Sequence, residues 1–70
     1  MLNTEILTLP KAYEARVRRV LRRAKIADLP FLKAAVGVAT GDWRRAAIST
    51  RIEELARERD RHVESESTAP

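Results

Sequence analysis

The sequence predicts a mainly α fold, a short N-terminal strand followed by three helices, assembling as a homodimer. Three observations predict it. Apolar residues recur at spacings of three and four over most of the chain, a β-branched opening stretch stops at Pro10, and the 70 residues include no cysteine. A chain this short buries only about 60% of the surface its unfolded form exposes, and without a disulfide or thiolate metal site the remaining remedy is association.

The strand is read from Asn3 to Leu9, where Leu7 and Leu9 fall on one side and Pro10 closes the segment. No second strand-like segment exists in the chain, so its pairing partner would come from another copy. The competing reading of this stretch is a frayed terminus or one more turn of helix.

The first helix is expected from Leu9 to about Ala27, on the apolar stripe Tyr13, Val17, Val20, Leu21 and Ala24. Thr8 is the candidate N-cap, and Pro10 sits in the first turn, where its missing N–H costs nothing. Away from the stripe lie Arg16, Arg18, Arg19, Arg22, Arg23 and Lys25, with Glu14 the only acid between Lys11 and Lys25. Such a block either meets an anion or is a solvated face under self-repulsion.

A second helix runs from Leu29 to about Val38, with Asp28 as candidate cap and Lys33 its only charge. A helix apolar nearly all round must be covered on several sides, by the other helices or by a second subunit. Gly37 inside it points to a close backbone approach or to the exit from the helix. Thr40-Gly41 then form a turn, and Asp42 caps a third helix starting at Trp43 with the stripe Ile48, Ile52, Leu55, Ala56 and Val63. Residues 1–40 thus form the dimerisation and binding region, 41–63 a C-terminal helix, and 64–70 a disordered tail.

Fourteen Lys and Arg against ten Asp and Glu give a net charge of +4. Residues 1–51 carry +7 and residues 52–70 carry −3, so the positive charge belongs to the first two thirds. That balance favours a polyanionic partner. Catalytic constellations are missing: the single histidine, His62, has no companion ligands, no glycine-rich phosphate loop exists, and the adjacent Glu53 and Glu54 diverge by about 100° on a helix. No enzyme activity, cofactor or metal is expected. Neither an apolar run of about 18 residues nor a secretory cleavage pattern occurs, which leads to the expectation of a cytoplasmic chain with no membrane contact.

From Glu5 to Val36 the chain resembles the ribbon-helix-helix DNA-binding proteins, the class of the Arc and Met repressors and many bacterial antitoxins. Leu9-Pro10 is followed by Tyr13, Val17 and Val20 at the family's spacing, and Phe31-Leu32-Lys33-Ala34-Ala35-Val36 stands where its second helix does. Glu5, Ile6, Asp28 and Pro30 depart from the pattern. The resemblance implies a homodimer that binds double-stranded DNA as a transcriptional regulator, the antitoxin type being one form of it. In it, Thr4, Ile6 and Thr8 would project outward from the paired strands. Lys11, Arg16, Arg19 and Arg23 are candidate phosphate contacts. A second template, helix-turn-helix, places Arg44 and Arg45 at the head of a reading helix. The alternative from another class is a helical protein-interaction module, an inhibitor or adaptor. It would grip a partner through the basic face or through Trp43, Ile48, Ile52 and Leu55, whose bland reading is simply core.

Overall fold

The computed structural model describes residues 4–67, with side-chain environments for residues 4–61. Four α-helices follow in order, α1 (Glu5–Thr8), α2 (Glu14–Arg22), α3 (Leu29–Val38) and α4 (Asp42–Ser67), with 3-10 turns at Lys11–Tyr13 and Ile26–Asp28. The mainly α expectation fits. The N-terminal strand does not, because among the described residues there is no strand.

Where the strand was expected, the chain closes one helical turn. The Thr4 carbonyl accepts from the N–H groups of Leu7 (2.9 Å) and Thr8 (3.2 Å), and the Leu9 N–H donates to Glu5 (3.0 Å). The physical reason is that a lone strand leaves its amides unpaired, whereas a turn satisfies several of them locally. It also places Ile6, which a strand with Leu7 and Leu9 inward would send to solvent, fully inside the core. With the strand goes the paired ribbon that was expected to open the fold. Thr8, expected to cap the next helix, instead donates its hydroxyl back to the Thr4 carbonyl at 3.2 Å.

Pro10 has an extended backbone and separates α1 from the 3-10 turn that leads into α2. Val17 and Leu21 are buried on one side of α2 and Ala24 continues that side. The helix stops at Arg22 rather than near Ala27. Its end tightens, Arg23 N–H donating to Val20 (3.1 Å) and Ala24 N–H to Leu21 (3.0 Å).

α3 keeps its expected limits, but its start differs in detail. Asp28 has a helical backbone and makes no side-chain cap. Its carboxylate accepts from the Lys25 N–H at 2.8 Å instead. Pro30, second in the helix, has no N–H to offer a cap, which removes one of the donors an N-cap uses. Leu29, Leu32 and Ala35 are buried, while Phe31, Ala34 and Val38 remain exposed, so α3 is covered on one side only. A Cβ at Gly37 would meet nothing within 4 Å, so this glycine serves no close approach inside the chain.

Gly41 makes the turn into α4 with φ +86°, and a Cβ there would come within 3.2 Å of Trp43 Nε1. The 26 residues of α4 extend about 39 Å at 1.5 Å per residue, against molecular extents of 49 × 19 × 17 Å. The helix passes Val63, where its end was expected, and includes residues 64–67; the rest of the expected tail, 68–70, lies outside the described residues, as does the side chain of Val63. α4 is the spine, packed against both α2 and α3. One core results, made of Ile6, Val17, Leu21, Ala24, Leu29, Leu32, Ala35, Ala47, Ile48 and Leu55.

Candidate nucleic-acid interface

Two α4 arginines face inward and hold the ends of other helices. Arg44 is only 5% exposed. It donates to the carbonyls of Thr40 (3.2 Å), Ile6 and Leu9, and its guanidinium lies 4.5 Å from the centroid of the Trp43 ring. Arg51 donates through Nε to the Leu21 carbonyl (2.8 Å) and through Nη2 to those of Arg22 (3.2 Å) and Ala24 (2.8 Å). The last carbonyls of a helix lack intrahelical partners and carry the negative end of its dipole, so a guanidinium fork suits them in both hydrogen bonding and charge. Arg44 thus ties down α1, and Arg51 ties down α2. Neither guanidinium is spent on an outside anion.

The remaining positive charge is arranged differently. Successive helical residues turn by about 100°, so with Val17 and Leu21 facing the core, Arg18, Arg22, Arg19, Arg23 and Arg16 sweep across the whole solvent side of α2 and its end. All five are exposed. Arg16 pairs with Glu5 (3.2 Å) and Arg18 with Glu14 (2.8 Å). The hydrogen bond that Arg16 donates to Glu5, then the Glu5 charge, raises the Arg16 pKa above the ordinary arginine value. That group therefore stays cationic at any pH at which the protein is handled. Arg19, Arg22 and Arg23 make no side-chain ion pair or hydrogen bond among the described residues. On the flank toward α4, Arg18, Arg22, Thr50 and Arg51 line a cleft of about 160 Å³, floored by Leu21 and Ala47, with Glu54 at its edge. A phosphate oxygen approaching α2 meets unpaired donors across the middle of the helix and partly neutralised ones at two flanks.

Of the residues expected to read or hold DNA, Arg16, Arg19 and Arg23 fall together on the α2 face, and Lys11 is exposed in the preceding turn. Thr4 and Thr8 are exposed but share a hydrogen bond within a helical turn, and Ile6 is core, so the three form no outward row. Arg45 is exposed at the start of α4 and pairs with Asp42 at 3.4 Å. Arg44, its neighbour, is withdrawn into the carbonyl cluster, which leaves the helix-turn-helix template without one of its two readers. Of the expected partner-binding group, Ile48 and Leu55 are core, while Trp43 and Ile52 are half-buried against it. The inward role of Arg44 and Arg51 escaped the sequence reading. Its signal was there, since both positions continue the face of Ile48 and Leu55, at spacings of four, three and four.

Among the described residues, no group of three His, Cys, Asp or Glu side chains could hold a metal ion. No described helix is long and apolar enough to cross a membrane. Comparison of the chain with family models, curated proteins and solved structures finds no match.

Proposed function

We propose that this chain is a small DNA-binding protein whose α2 face meets the phosphate backbone of a duplex. The observation that supports it most is the run Arg19, Arg22 and Arg23, three exposed guanidinium groups with no acidic partner among the described residues, on an arc already flanked by Arg16 and Arg18. An isolated helix face under such self-repulsion gains when a polyanion replaces its counterions. The basic arc presents no aligned side chains of the amide type that distinguish one base pair from another, which favours backbone contact over sequence reading.

The test is duplex binding by fluorescence anisotropy over a salt series. Each phosphate contact contributes about 0.9 to the slope of log affinity against log salt, so replacing Arg19, Arg22 and Arg23 together by glutamine lowers that slope by about 2.7. Lys33→Gln, an exposed cation in α3 outside the α2 arc, leaves it within experimental error. Absence of duplex binding at low salt defeats the proposal and turns attention to an acidic protein surface as the counterpart of the same arginines.

A further inference from the structure

In the cleft between α2 and α4, cations from both helices meet a hydroxyl with no partner. The lining follows helical spacing on each wall. Arg18, Leu21 and Arg22 stand at i, i+3 and i+4 on α2, and Ala47, Thr50, Arg51 and Glu54 at i, i+3, i+4 and i+7 on α4. Leu21 and Ala47 make the floor, and the polar side chains make the rim. We propose that this cleft seats one phosphate group, held between the two helices.

Three guanidinium groups against one carboxylate give the lining a formal charge of +2. Arg51 commits Nε and Nη2 to the carbonyls at the end of α2. Carbonyls are neutral, so those bonds fix the group in place and leave its charge intact. With its side chain only 19% exposed and a contact to Glu54 of 3.5 Å, Arg51 is a positive wall already in position. An anion that enters does not have to order it.

The free donors come one from each wall. Neither the Arg22 guanidinium nor the Thr50 hydroxyl makes a hydrogen bond or ion pair among the described residues. Arg18 adds a second cation on the α2 side, shared with Glu14 at 2.8 Å. Donors on opposite walls suit the diverging oxygens of a tetrahedral anion better than the two coplanar oxygens of a carboxylate. The cleft, about 160 Å³, has room for several waters at about 30 Å³ each, and so for the four oxygens of a phosphate. Two sources supply such a group, the backbone of a duplex and free phosphate. With the first, the inference rests on duplex binding by α2; with the second, it does not.

Titration of the ¹⁵N-labelled full chain with inorganic phosphate, at constant ionic strength, tests the seat. The amides around Arg18, Arg22, Thr50 and Arg51 are expected to shift together and saturate with one Kd, while acetate gives no saturation. Thr50→Val keeps shape and charge, and should weaken phosphate about two- to tenfold, the worth of one net hydrogen bond. Glu54→Gln should tighten it about two- to fivefold, a gain that misfolding cannot produce. Glu53→Gln removes the same charge about 100° away around α4, outside the cleft, and should leave the Kd unchanged. Shifts that do not saturate, an equal response to acetate, or Thr50→Val and Glu54→Gln binding as wild type does overturns the proposal. So does Glu53→Gln matching Glu54→Gln, since net charge alone would then explain the gain. The same variants in the duplex titration identify the source: a backbone phosphate in the seat makes Thr50→Val weaker and Glu54→Gln tighter by similar factors, whereas a seat for free phosphate leaves Thr50→Val at the wild-type duplex affinity. Saturable phosphate binding without duplex binding defeats the α2 reading and keeps the seat. Duplex binding without saturable phosphate binding does the reverse.

Discussion

Replacing Arg44 by methionine keeps the length of the side chain and removes every donor, which isolates what its guanidinium does. The carbonyls of Ile6 and Leu9 then lose the guanidinium donors that reach them, and the cation above the Trp43 ring disappears. A hydrogen bond from a charged donor is worth about 1.5 kcal/mol at the low end, so two of them give about 3 kcal/mol. The stacked cation adds about 0.5 kcal/mol. Because the Leu9 carbonyl lies toward the surface and recovers some water, we take about 3 kcal/mol as the expected loss. Against a total stability of about 3.5–10 kcal/mol for a chain of this length, that is a large share. In a thermal melt followed at 222 nm it corresponds to a drop of about 12–24 °C. Arg44→Lys retains a charge but not the fork, and should fall between wild type and methionine. A melting temperature for Arg44→Met within about 3 °C of wild type would refute the assignment of Arg44 to the fold. So would a folded Arg44→Met protein with reduced duplex affinity, since a group spent on carbonyls has none to give to phosphate.

Arg51→Met removes three donors from the end of α2 in the same way, with a loss of about 2–3 kcal/mol, because Arg51 is only partly buried. Amide exchange at Arg22 to Ala24 is the local readout, and unchanged protection there counts against the capping role. Gly41→Ala must hold a side chain at φ +86° with its Cβ 3.2 Å from Trp43 Nε1, and is expected to cost about 1–2 kcal/mol in denaturant unfolding. No loss would mean that the turn relaxes freely.

Much of the helical body could be read from the sequence because it is periodic. Val17, Leu21 and Ala24 recur at helical spacing, and they are the buried side of α2; α3 begins and ends where its apolar run and the Thr40-Gly41 turn say it should. The opening segment was not readable by the same route. Leu7 and Leu9 alternate as in a strand, but over so few residues the pattern fits a helical turn equally well, and Ile6 decides the matter through packing against distant residues. Of the candidate site, the α2 arginines were legible as a local block. The carbonyls of α1 and α2 that Arg44 and Arg51 reach were not, because they lie 27 to 38 residues away along the chain, and periodicity records faces rather than partners.

The Arg44 cluster also bears on how the protein opens. A four-residue helix cannot persist by itself, since nucleating a turn costs more than its few hydrogen bonds return. α1 survives through Ile6 in the core and through a guanidinium rooted in the first turns of α4. The two ends of this segment pair, 38 residues apart in sequence, should therefore breathe as one cooperative unit, with the amides of Leu7 to Leu9 and of Arg45 to Ala47 exchanging at a common rate. Loosening the N-terminus would release the head of the longest helix, and the reverse holds as well.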